Sequence, residues 1–263
     1  MKYLLLTLAI GFGFYLILVV GLFFGQESLI FIDTKLESDY KYHFDADFEE
    51  VTIQTEENAK LNAIHFKVKN PKGIIVYFHG NAGDISRWGE IAERFLSYGY
   101  DVLISDYRGY GKSTGRRTSE KMYFDANQVY KYANNLYPEE KIISFGRSLG
   151  CTFATYVATK NTPKHLILET PFYSLKSIVQ SKFPILPSRL LLRFKFPTHQ
   201  FIHEVNSPIH FFHGTDDFVV PYENGKALFD LAPNATLTTI FNGGHNDLAD
   251  FELYWDEMGK LLR

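Results

Sequence analysis

One cysteine, Cys151, in 263 residues excludes an intramolecular disulfide framework and a cysteine-based zinc cluster. An excess of one charge sign is missing too. Lys and Arg number 27 and Asp and Glu 30, a net charge of -3, whereas nucleic-acid binders carry a strongly basic footprint. Neither DNA nor RNA is therefore expected as a partner. Charge of either sign is absent from Tyr3 to Gly25, "YLLLTLAIGFGFYLILVVGLFFG", and about 20 apolar residues are what a helix needs to cross a bilayer. A cleaved signal peptide is the rival reading, but its apolar region runs to only about 7–15 residues, and "FFGQES" makes a poor cleavage site. Residues 1–25 are expected to form a transmembrane anchor and 26–263 a single globular domain. Lys2 and the amino terminus on one flank, set against Lys35 and Lys41 on the other, lean towards a domain outside the cytoplasm.

What is abundant is apolar: 46% of residues are hydrophobic and 16% aromatic, enough for a sizeable core. After the polar connector "DTKLESDYKYHFDADFEE", Val51 to Thr55 and Leu61 to Val68 alternate around "EENAK" and predict an edge hairpin. Short apolar runs follow at 73–80, 100–106, 141–146, 164–170, 208–214 and 235–241. Helix-spaced stretches separate or follow them: Ile85 to Tyr98, Ser119 to Leu136, Leu149 to Thr159, Tyr222 to Leu231 and Leu248 to Leu262. Runs that are apolar on both faces and alternate with helices predict a mostly parallel sheet covered on both sides. The connection at about 171–207 is far longer than usual. From Ser174 to His203 it lacks any acid while carrying Lys176, Lys182, Arg189, Arg193 and Lys195 among Phe183, Phe194, Phe196 and Phe201. It reads either as a short lid or as an insertion that packs its phenylalanines inward.

Gly146-Arg147-Ser148-Leu149-Gly150 follows the strand-like "KIISF" and precedes a helix-like run, the setting in which G-x-S-x-G holds a serine on a sharp turn. A serine hydroxyl needs a base to take its proton, and the base needs a group to orient it. His245, in "GGHND" between the last strand and the last helix, is the expected base. His79 and His213 end strands before glycines, and the other histidines fit less well. Asp216 and Asp217 both sit where the acid belongs. Two carboxylates in one buried site would repel, so one should work and the other face water. The glycine-bearing turn "YFHGNAGD" supplies an expected oxyanion donor in the backbone of Asn81, beside that of Leu149. "GYGKS" imitates the end of a P-loop, but the required first glycine falls on Asp106 and the pattern fails. Cys151 reads as a small buried apolar residue.

Six segments in order, "YFHGNAGD", "SDYRGYGKS", "FGRSLG", "LETPFYS", "HGTDDFVVP" and "GGHND", resemble the α/β-hydrolase superfamily, in particular its membrane-anchored, serine aminopeptidase-like branch. The resemblance covers the chain from about residue 45 onward. It implies an α/β-hydrolase fold and a Ser-His-Asp triad of Ser148, His245 and Asp217, since Asp217 is the fifth residue of the matching H-G-x-x-D-x-x-V-P. It further implies hydrolysis of ester, thioester or peptide acyl compounds with no cofactor and no metal. A dehalogenase on this fold would want a carboxylate at position 148. The anchor and the basic, apolar lid point to a lipid-like acyl substrate at a membrane, ahead of an aminopeptidase or a non-catalytic tethered binding protein.

Overall fold

The computed structural model describes residues 1–56 and 59–263. One eight-stranded sheet organises the domain: β1 (Phe48–Gln54), β2 (Lys60–Phe66), β3 (Ile74–Phe78), β4 (Asp101–Ser105), β5 (Ile142–Arg147), β6 (His165–Glu169), β7 (Ile209–Gly214) and β8 (Ala235–Ile240). The spatial order is β1-β2-β4-β3-β5-β6-β7-β8. The edge hairpin β1–β2 pairs antiparallel and joins β4 antiparallel; every later pairing is parallel. The tip of the expected "EENAK" turn, residues 57 and 58, lies outside the described residues.

Side chains on β3 show why the central strands are apolar throughout. Ile74, Val76 and Phe78 enter one core, with residues of α3 (Ser119–Asn134) and α4 (Leu149–Ala158). Ile75 and Tyr77 enter a second core on the other face, with residues of α2 (Ile85–Ala92) and α9 (Glu252–Leu262). Successive strand residues point to opposite faces, so a sheet covered on both faces allows no polar alternation. Two expected helices are interrupted. Ile85 to Tyr98 is α2 followed by a 3₁₀ stretch, Glu93–Tyr98, ending on left-handed Gly99. Leu248 to Leu262 is a 3₁₀ turn, Leu248–Asp250, and then α9.

The long connection holds α5 (Leu175–Lys182), α6 (Ser188–Leu191) and α7 (Thr198–Phe201) ahead of β7; α8 (Tyr222–Phe229) follows β7. The inward packing expected of its phenylalanines is only partial. Phe194 and Phe196 are buried in the domain, whereas Phe183, Ile185 and Leu190 point outward.

The amino-terminal helix α1 (Lys2–Ile30) is long and apolar enough to cross a membrane, with a mean hydropathy of 2.5 over its most apolar window. It extends past Gly25, the expected limit of the anchor, and its end belongs to the fold. The Gln26 amide donates to the Leu191 carbonyl at 2.9 Å and accepts from the Arg193 N–H at 2.7 Å. Phe31 is buried. The "polar connector" is no free linker either: Asp33 bridges to Gly83 and Lys35 to Gly111, and Tyr42 is buried with its hydroxyl on Asn62.

Candidate active site

Ser148 stands between β5 and α4 with φ 50 and ψ -112, a left-handed backbone that a side-chain-bearing residue adopts only under constraint. The constraint is steric. A Cβ on Gly150 would lie 1.9 Å from the Phe78 carbonyl oxygen, and one on Gly146 would lie 2.6 Å from the Cys151 Cα. Both glycines are needed because strand and helix pass almost in contact beneath the turn. The Ser148 N–H donates to the Glu169 carbonyl at 2.8 Å, tying the turn to β6.

The turns after β5, β7 and β8 converge at this sheet edge. Ser148 Oγ lies 3.0 Å from His245 Nε2, and His245 Nδ1 lies 2.7 Å from Asp217 Oδ2. Asp217 Oδ1 accepts from the backbone N–H groups of Val219 at 2.8 Å and Val220 at 2.7 Å. Burial alone would raise the Asp217 carboxyl; hydrogen bonds from His213 and His245 more than offset this and hold it well below the usual carboxylate range. Asp216 is exposed and accepts from the Thr215 hydroxyl. The structure thus brings Ser148, His245 and Asp217 together and leaves Asp216 in solvent.

The loop after β3 holds Asn81 beside them. The Tyr110 hydroxyl donates to the Asn81 carbonyl at 2.8 Å, the Tyr107 hydroxyl to the His79 carbonyl at 2.6 Å, and the Trp88 indole N–H to the Ala82 carbonyl at 2.6 Å. Among the described residues, neither the Asn81 nor the Leu149 backbone N–H has an acceptor. Both residues line a cavity of about 300 Å³ with Ser148 and His245. The rest of its wall is largely apolar, including Ile30 at the end of α1, Ile32 just beyond it, Leu175 and Ile178 from the long connection, and Val219. A larger hollow of about 490 Å³ lies under the lid between Tyr173 and Gln200 and contains none of these groups. The converging serine and histidine open into the smaller cavity.

Three supporting residues escape a reading of the sequence. His213 is fully buried, with Nε2 3.3 Å from Asp217 Oδ2 and 2.9 Å from the Val220 carbonyl oxygen; its only signal was a histidine four residues before the acid. Arg147 pairs with buried Glu169 at 3.2 Å and lies over the Trp88 ring. It also reaches the His245 carbonyl oxygen at 3.4 Å. Glu169 accepts in turn from the Tyr254 hydroxyl at 2.8 Å. Cys151 is buried with its thiol on the Gly146 and Glu169 carbonyls, and burial pushes it well above its ordinary pKa. A group so shielded does not serve as a thiolate.

Residues 69–201 match the family model described as "Serine aminopeptidase, S33". The chain belongs to this family of α/β hydrolases. Among its relatives, an uncharacterized membrane protein of Saccharomyces cerevisiae is 29% identical over 231 residues, 82% of this chain and 79% of that one. The lysophosphatidylserine lipase ABHD12 of Danio rerio is 30% identical over 181 residues, 60% of this chain and 47% of the lipase. Among solved structures, the Pyrococcus furiosus esterase Pf2001 superposes with a TM-score of 0.70 at 21% identity, covering 89% of this chain and 96% of the esterase. The S33-like hydrolase is thus of the expected fold, with hydrolase, esterase and lipase neighbours. Its amino-terminal helix fits a membrane-associated protein.

Proposed function

We propose that the chain is a membrane-anchored serine hydrolase that cleaves acyl esters of lipid-like substrates. One observation carries this reading: the hydroxyl–imidazole–carboxylate relay at 3.0 and 2.7 Å opens into a cavity walled partly by the end of the apolar helix α1. Ser148 Oγ attacks the acyl carbonyl while His245 Nε2 takes its proton, and Asp217 holds the Nδ1–H and stabilises the imidazolium. The oxyanion receives the Asn81 and Leu149 N–H groups. Collapse transfers the proton from His245 to the departing alcohol and leaves an acyl-Ser148 ester. Water, deprotonated by His245, then attacks that ester, releasing the acid and restoring the serine.

The lining favours an ester over an aminopeptidase substrate. No Asp or Glu lines this cavity among the described residues to receive a peptide's α-amino group, whereas Arg87 and Arg147 do line it. Arg147 is committed to Glu169, which leaves Arg87, exposed and stacked over Trp88, to meet an anionic headgroup. The same machinery would accept a thioester.

Fluorophosphonate labelling tests the core of the reading. The wild type should be labelled and Ser148→Ala should not; a folded wild type that stays unlabelled, or equal labelling of both, rejects it. A panel of lipid esters, acyl thioesters and aminoacyl amides then ranks the substrate classes, with lipid esters expected first. Which side of the membrane the domain occupies is part of the same proposal: we place it outside the cytoplasm, to be checked by protease protection in sealed membranes.

A further inference from the structure

We infer that the lid tip, residues 183–190, is a second membrane-inserted element that lies in the lipid leaflet alongside α1. The inference rests on the reading of α1 as a membrane anchor and deepens the proposed lipid hydrolase. The first observation is exposure without a partner in the fold: Phe183 is 55%, Ile185 76% and Leu190 81% accessible, within the run "FPILPSRL". Large apolar side chains clustered outward in this way mark an interaction surface.

The second observation identifies what covers them. The Tyr15 hydroxyl, midway along α1, donates to the Ile185 carbonyl at 2.8 Å. Farther down the same helix Gln26 holds the lid at Leu191 and Arg193. Tyr15 and Gln26 are 11 residues apart, about 16 Å at 1.5 Å rise per residue. The tip therefore runs up the helix by roughly half of a ~30 Å hydrocarbon layer. If α1 crosses a bilayer, the tip cannot stay in water.

The third observation concerns the lid's backbone. Hydrocarbon offers no water to an open carbonyl or N–H, so each such group must be satisfied by protein. Tyr15 and Gln26, polar side chains of α1, are bonded to lid backbone groups. Charge completes the fit. Lys176, Lys182, Arg189, Arg193 and Lys195 stand in this acid-free stretch, and long basic side chains extend towards phosphate headgroups while their stems stay in apolar surroundings. Arg193 already lies over the Phe23 ring of α1.

The consequence is an entry route. The cavity is lined by Ile30 at the end of α1, by Ile32 just beyond it and by Leu175 and Ile178 of α5, the helix that leads into the tip, so α1 and the lid share its wall. An acyl chain can pass from the leaflet to Ser148 along apolar surface without crossing water.

The test uses the full chain in phosphatidylcholine vesicles containing phosphatidylcholine with a nitroxide on its acyl chain. Cys151, fully buried, stays native, and an environment-sensitive fluorophore is placed at Ile185→Cys, at Ile17→Cys on α1, or at Leu136→Cys beyond the far end of α3. Quenching at 185 comparable to that at 17, with none at 136, is the expected result. Quenching at 17 but not at 185 overturns the inference and leaves the anchored hydrolase standing. Absence of quenching at both overturns the anchor reading as well. A second readout uses Phe183→Ser/Ile185→Ser/Leu190→Ser. Hydrolysis of a water-soluble p-nitrophenyl ester should be unchanged, while hydrolysis of lysophospholipid held in vesicles should fall about tenfold, the change that 1.4 kcal/mol of lost docking produces. An equal rate on vesicles would also overturn the inference.

Discussion

Replacing Asp217 by asparagine tests the relay at its most constrained point. Asp217 Oδ1 is pinned by the Val219 and Val220 N–H groups at 2.8 and 2.7 Å. An asparagine would keep its carbonyl oxygen there, because its NH₂ cannot accept from two donors. The NH₂ then takes the position of Oδ2 and faces His245 Nδ1, now 2.7 Å from a carboxylate oxygen. A donor there makes Nδ1 the acceptor and puts the imidazole proton on Nε2, facing Ser148 Oγ. The base then presents a hydrogen where it should present a lone pair. In the triad template the wrong tautomer costs about 10⁴ in kcat, or about 5.5 kcal/mol of barrier at 1.36 kcal/mol per decade. The assay is turnover of a p-nitrophenyl ester, with circular dichroism as a check on folding and Asp216→Asn as the control. A folded Asp217→Asn within tenfold of wild type, or an equal loss in Asp216→Asn, would refute the reasoning.

Four further outcomes follow from the same structure. His213→Phe should lower kcat more than it changes KM, since it withdraws a donor from Asp217 and orphans the Val220 carbonyl, and should destabilise the fold by about 1–3 kcal/mol, read by thermal unfolding in detergent. Arg147→Leu should cost about 3–5 kcal/mol by leaving Glu169 buried without its cation, while Arg147→Leu/Glu169→Leu should recover much of that loss. Gly150→Ala, whose Cβ would meet the Phe78 oxygen at 1.9 Å, should abolish fluorophosphonate labelling or yield no folded protein, and a normally labelled Gly150→Ala would contradict the close approach. Burial pushes the Asp106 carboxyl up to about 6 from 3.8, with the His79 ring 3.5 Å away acting in the opposite direction. The folded state therefore keeps a proton that the unfolded state releases, and this stabilisation is complete below pH 3.8 and lost as pH rises through 6. Asp106→Asn should flatten that fall and raise stability at pH 8 by up to about 3 kcal/mol, measured as the shift in Tm between pH 4 and pH 8.

The local features were legible because their physics is local. Ser148 needs glycines on both sides within five residues, so its turn is written as a contiguous motif. His245 follows from its place between the last strand and helix, and the strands follow from apolar runs bounded by turns. Choosing Asp217 over Asp216 needed only the electrostatics of one buried carboxylate and the motif's register. Helix ends were less legible. The 3₁₀ stretch at Glu93–Tyr98 and the break before α9 depend on how each helix turns into its neighbour, which periodicity does not encode.

The sequence by itself determined the class of fold, the serine turn, the chain order of the candidate serine, acid and histidine, and the presence of an apolar helix at the amino terminus. These rest on spacing within a few residues or on composition. Only the tertiary structure decided that His213 shares Asp217 with His245, that Arg147 and Glu169 brace the turn from adjacent strands, and that Tyr110, in the loop after β4, holds Asn81. It alone decided that Tyr15 meets Ile185 across 170 positions and that Ile30 lines the cavity, making α1 a partner of the lid and part of the cavity wall. Contacts at such separation leave no trace in local pattern, because the partners need only be complementary once the sheet has brought them together.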